Sequence, residues 1–152
     1  MQTPQSHRLR LGRINQPHRA YHLTTATHDR QPLLRNLQAG RIIVNALRHL
    51  NEQGQAETLA YVVMPDHLHW LMTLNPDSTL DGVMHSLKSY TAHRLKAHLK
   101  IDTPIWQSGY HDHAIRADED LRRTARYLIA NPLRAGLVTT IGDYPLWDAH
   151  WL

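Results

Sequence analysis

The stretch Tyr61-Val62-Val63-Met64-Pro65-Asp66-His67-Leu68-His69-Trp70-Leu71-Met72-Thr73-Leu74 constrains the fold more tightly than any other part of the chain. Residues 61–64 are apolar and partly β-branched, Pro65-Asp66 is a turn pair, and residues 67–74 run on as a second extended segment. The pattern predicts a hairpin at the centre of a sheet. Side chains alternate across a strand, so His67 and His69 share one face while Leu68 and Trp70 point to the other. Two imidazoles on one face make half a metal site. The pair alone is a weak signal, because 13 His in 152 residues yield about one His-x-His by chance. A second pair, His111-Asp112-His113, is in fact present. Without further support, two hydrogen-bonded polar residues on a half-exposed sheet face are the simpler account.

The rest of the chain supplies partners for the hairpin. Residues 20–27 alternate and are rich in Thr, which predicts a first strand. Pro32 opens a helical stretch over residues 33–51, with Leu33, Leu34, Leu37, Ile42, Ile43, Leu47 and Leu50 mostly on one side, and Gly54 closes it. Ser78 is placed to cap a helix running to about Leu99, whose buried stripe is Leu80, Val83, Met84, Leu87, Thr91 and Leu95. Residues 110–116 read as another strand. Asp118 begins the last clear helix, with Leu121, Ala125, Leu128 and Ile129 as its stripe, and Pro132 stops it after Asn131. The aromatic tail, with Tyr144, Trp147 and Trp151, is expected to pack back onto the domain. The order β-α-β-β-α-β-α predicts an α+β protein, a ferredoxin-like antiparallel sheet with helices packed on one face. The open face would carry the two histidines or abut the last helix.

Composition removes several classes. The length suits one domain, residues 20–152, preceded by a basic arm over residues 1–19 that holds Arg8, Arg10, Arg13 and Arg19. Apolar runs fall well short of the roughly 20 residues that span a bilayer. No secretory signal core is evident near Met1, and a cytoplasmic, nucleoid-associated protein is expected. The absence of cysteine excludes disulfides, thiolate metal sites and cysteine nucleophiles. Lys and Arg exceed Asp and Glu by 17 to 13, a balance that suits a polyanionic partner and equally a mildly basic enzyme.

Tyr127 and Asn131, four residues apart, project from one side of the last helix and lie off its apolar stripe. A tyrosine that packing does not need, one turn from an amide, asks for another role. Two His from a strand and one amide oxygen would leave several positions of a divalent cation open to phosphate and water, with the phenol beside them as nucleophile.

At this point the chain resembles a known family. Met64-Pro65-Asp66-His67-Leu68-His69, Ser86-Leu87-Lys88, Ile105-Trp106-Gln107, His113-Ala114-Ile115-Arg116 and Arg126-Tyr127-Leu128-Ile129-Ala130-Asn131-Pro132-Leu133-Arg134-Ala135-Gly136-Leu137-Val138 occur in the order seen in REP-associated tyrosine transposases. These are relatives of the IS200-type transposases within the His-hydrophobic-His nuclease superfamily. The resemblance implies that His67 and His69 are paired metal ligands, that Tyr127 is the nucleophile, and that Asn131 completes the coordination of Mg2+ or Mn2+. It implies cleavage of single-stranded DNA folded as a REP-type palindromic hairpin, through a covalent 5′-phosphotyrosine intermediate that can be rejoined. Backbone cations and aromatic platforms are then required, and Arg8, Arg10, Lys88, Arg94, Trp106, His113, Arg116 and Arg134 are the candidates for DNA binding. Asp66 and Asp118 are open as general base. A site complete within one chain suits a monomer. Two rival readings remain: a noncatalytic hairpin-binding regulator on the same fold, and a metal hydrolase using water, with His111 or His113 as third ligand.

Overall fold

The computed structural model describes residues 20–150, so the basic arm with Arg8 and Arg10 lies outside the described residues. In chain order the elements are β1 (Ala20–Ala26), α1 (Leu37–Glu52), β2 (Ala56–Met64), β3 (His67–Leu74), α2 (Leu80–Leu99), β4 (His111–Ile115), α3 (Asp118–Ile129), α4 (Asn131–Arg134) and β5 (Trp147–Ala149). The five strands form one antiparallel sheet in the order β4-β1-β3-β2-β5. The expected hairpin, β2 and β3 joined at Pro65-Asp66, occupies its middle. Among the described residues no helix is long and apolar enough to cross a membrane.

Strand alternation divides the apolar residues into two layers. Tyr21, Leu23, Val63, Leu68, Trp70 and Met72 face α1 and α2, where Ile43, Leu47, Val83, Met84, Leu87 and Leu95 meet them. Trp70 is fully buried there, and its indole N–H donates to Thr58 Oγ1 at 2.9 Å, as a buried indole requires. Ala20, Ala60, Val62, Leu71 and Ile115 form a smaller cluster on the opposite face, closed by Ala125 and Leu128 of α3. The two long helices therefore pack on one face of the sheet, and the other face both carries the histidines and abuts α3.

Local chemistry moves several boundaries. α1 starts at Leu37, because the Asn36 side chain accepts from the amides of Gln38 and Ala39 at 2.8 and 3.2 Å. The stretch after Pro32 is a turn instead, in which the buried Leu34 donates its N–H to the Pro65 carbonyl and docks on the hairpin bend. Thr79, not Ser78, caps α2, accepting from Gly82 N at 3.0 Å. The helix bearing Tyr127 ends at Ile129, and a separate turn of helix, α4, begins at Asn131. The described part of the tail packs back, Trp151 lying outside the described residues: Val63 N–H donates to the Leu146 carbonyl at 2.9 Å and the Tyr144 hydroxyl donates to the Val63 carbonyl at 2.6 Å. Leu146 closes on Gly40, where its Cδ1 leaves no room for a Cβ. β5 then extends the sheet beyond β2.

Candidate active site

The face opposite Trp70 is polar at its centre. Register sets His22 beside His113 and Thr24 between His69 and His111, so these five residues and His67 lie on one surface. The rings of His67 and His69 approach edge to face with centroids 4.8 Å apart. Each has its Nδ1 engaged. His67 Nδ1 donates to Asp66 Oδ1 at 2.7 Å, and Arg30 Nε donates to the other carboxylate oxygen at 3.0 Å. His69 Nδ1 lies 2.9 Å from His22 Nε2 and 3.2 Å from Thr24 Oγ1. A neutral imidazole that donates from Nδ1 keeps its lone pair on Nε2, the arrangement of a metal-ligating histidine with its outer partner in place.

Electrostatics reinforce this state. Burial, then the neighbouring His22 and His67 and the charges of Arg134 and Arg30, push His69 down to about 3. Burial and His113 push His22 down to about 4. Both rings are neutral near pH 7, as ligation requires. Burial acts to raise the Asp66 carboxyl, but the hydrogen bonds from His67 and Arg30 outweigh it and hold it below the usual carboxylate range. Asp66 is thus occupied in orienting His67, which argues against the general-base role.

The second half of the site comes from α3 and α4. Ala125 and Leu128 seat α3 on the histidine face of the sheet. On the helix's outer side Tyr127 is 59% exposed, accessible to a substrate. Pro132 has no N–H to continue the helix, and the Asn131 amide turns back to donate Nδ2 to the Leu128 carbonyl at 3.1 Å. The amide Oδ1 is the end of that side chain suited to a cation. Arg134 stacks over Tyr127, Cζ to ring centroid 4.0 Å, and its charge is felt at His69, which sets α4 near the histidine pair. Among the described residues no three His, Cys, Asp or Glu side chains are arranged to hold a metal ion. His111 and His113 therefore do not complete a three-histidine centre with the pair. By donor chemistry, the two imidazoles of His67 and His69 and the neutral amide oxygen of Asn131 are types that suit a divalent cation.

A sequence profile described as "Transposase IS200 like" matches residues 15–131, a span that holds His67, His69, Tyr127 and Asn131. The chain belongs to this family. It is 29% identical over 111 residues to the REP-associated tyrosine transposase of Escherichia coli K12, covering 72% of this chain and 64% of that one. With a Haemophilus influenzae relative named to the same class it shares 28% identity over 116 residues, covering 70% and 66% of the two chains. The chain thus spans a little under two thirds of the length of these relatives. A solved REP-associated tyrosine transposase bound to a REP hairpin has the same fold, with TM-score 0.71, 24% identity and coverage of 86% of this chain and 76% of that one. A Deinococcus radiodurans R1 structure described as a transposase aligns with TM-score 0.56 and 27% identity over 74% and 88% of the two chains.

The remaining candidates of this IS200-like domain fall in different places. Lys88 is half-buried and donates to the carbonyls of Gln107 and Gly109, both at 2.7 Å, pinning the loop before β4; burial lowers its pKa. Trp106, on that loop, is 8% exposed, and its indole donates to Thr91 in the main core. Arg94 lies on the helical side, hydrogen-bonded to the Tyr90 hydroxyl, in a groove shared with Arg41 and His98. His113 and Arg116 are exposed on and just beyond β4. Among the described candidates, Arg134 and His113 join the histidine face. His22, Thr24 and Arg30 belong to the site and were absent from the sequence reading. His22 and Thr24 carried one usable signal, their matching parity on the first strand, which has meaning only once β1 is known to pair with β3.

Proposed function

We propose that the domain is a metal-dependent single-strand DNA endonuclease and strand transferase acting on REP-type palindromic hairpins. What supports this most is one arrangement: an exposed Tyr127 on the helix packed over the sheet face that carries His67 and His69, whose Nδ1 atoms are engaged by Asp66, His22 and Thr24. His67, His69 and the Asn131 oxygen would hold Mg2+ or Mn2+, which when bound polarises the scissile phosphate and orients its oxygens. Tyr127 Oη attacks phosphorus, the phenol proton passes to solvent or a base, and the P–O bond to the 3′-oxygen breaks, releasing a 3′-hydroxyl. The DNA 5′ end is left joined to Tyr127, and the phosphodiester's free energy is retained. A 3′-hydroxyl of another strand can then attack the same phosphorus and restore the phenol without ATP. The hairpin preference follows the REP-bound relative of like fold. Every proposed site residue comes from one chain, so a monomer would suffice.

The test is a 3′-labelled single-stranded hairpin incubated with protein and Mn2+. A denaturant-stable protein-DNA adduct should form and vanish in Tyr127→Phe. Cleavage with no adduct would replace Tyr127 by water as nucleophile, and tight binding with neither product would make the domain a hairpin-binding regulator.

A further inference from the structure

The break between α3 and α4 does more than end a helix. The last carbonyls of any helix lack intrahelical donors, and here two of them are taken by side chains of the next turn. Asn131 Nδ2 serves Leu128, as described, and Arg134 Nη2 donates to the Tyr127 carbonyl at 2.6 Å. The cap also sets a cation at the negative end of the α3 dipole. The guanidinium that holds the Tyr127 backbone lies across the Tyr127 ring as well, 4.0 Å from its centroid. An exposed tyrosine on a helix is free to exchange between staggered rotamers. A ring covered on one face by a group anchored to its own carbonyl is not.

We propose that Arg134 is a positioning residue for Tyr127, fixing the phenol in one rotamer before substrate arrives. The inference rests on Tyr127 being the nucleophile, and it differs from a phosphate-contact role for Arg134. In a nucleophilic displacement a misplacement of about 1 Å costs on the order of 100-fold in rate. The function needs the fork shape of arginine, one arm on a carbonyl and the plane on a ring, which lysine cannot reproduce. Positioning acts in both directions, so cleavage and rejoining would slow together.

The experiment compares wild type, Arg134→Ala and Arg134→Lys in three measurements: single-turnover adduct formation at saturating hairpin DNA, hairpin affinity across a salt series, and the χ1 of isotope-labelled Tyr127 from three-bond couplings. Both variants are expected to form adduct roughly 10- to 100-fold more slowly, with affinity and salt dependence unchanged and Tyr127 averaging between rotamers. The proposal is overturned by an unchanged rate, by averaged χ1 couplings already in wild type, or by a defect that disappears at saturating DNA with a salt slope reduced by about one, the mark of a lost phosphate contact. Should wild type form no adduct, the nucleophile assignment fails, while the χ1 comparison still decides whether Arg134 orders the ring.

Discussion

The chain carries two His-x-His pairs on the same face of one sheet, and they have different fates. His67 and His69 lie on a central strand, with Asp66, His22 and Thr24 engaging their Nδ1 atoms. His111 and His113 lie on the edge strand β4 and are exposed. Spacing puts both pairs on a common surface, but hydrogen-bond partners at Nδ1 hold the rings of the central pair, while the edge pair stands exposed. A motif of this length names candidates; its place in the sheet chooses between them.

The contrast can be broken most directly by substitution. His67→Ala with His69→Ala should reduce adduct formation on the order of a thousandfold, several kcal/mol of lost transition-state stabilisation, while hairpin affinity holds. His111→Ala with His113→Ala should leave the rate at saturating DNA within about threefold. Equal losses in the two double variants would dissolve the distinction.

The next effect is on stability. His22 and His69 have folded-state pKa values pushed from 6.5 to about 4 and about 3. Below pH 6.5 the unfolded chain takes up protons that the folded rings refuse, so stability present above 6.5 is lost as pH falls toward 4. Calorimetry of metal-free protein between pH 7.5 and 4.5 should show a loss of a few kcal/mol, and His22→Gln should flatten it. A flat profile in the wild type would mean these rings are solvated.

Outer partners should matter less than the ligands themselves. Asp66→Asn and His22→Ala are each expected to weaken Mn2+ binding by roughly 10- to 100-fold, read by isothermal titration; unchanged affinity would show that the Nδ1 contacts do not orient the pair. The smallest effect separates the pairs again: His111→Ala with His113→Ala should shift unfolding free energy by no more than about 0.5 kcal/mol in a denaturant titration. A larger shift would reveal packing at the edge strand.

Much of this molecule was legible in its residues because local rules govern it. Alternation placed Leu68 and Trp70 in the core and the histidines opposite, and helical periodicity named Leu80, Val83, Met84, Leu87, Thr91 and Leu95, all buried in α2. The same rules fail where the partner is remote. β5 has three residues, too few to show a period, and it is a strand only because β2 offers an open edge. Leu33 and Leu34 continue the apolar stripe of α1 by angle, yet Leu34 bonds the hairpin turn instead. Lys88 and Trp106 look like DNA-facing residues by type, and both are drawn into holding one loop against α2.

By itself the sequence determined the hairpin and the helix stripes, since each depends on residues a few positions apart and on backbone geometry alone; the expected Tyr127–Asn131 pair on one helix is split by the break after Ile129. Tertiary structure decided which histidine pair is oriented, which carboxylate does the orienting, and that Arg134 lies on Tyr127. Those outcomes depend on strands distant in sequence becoming neighbours and on water leaving between them. Only there do a hydrogen bond on one imidazole nitrogen and burial of its ring acquire the strength to select a tautomer and a charge state.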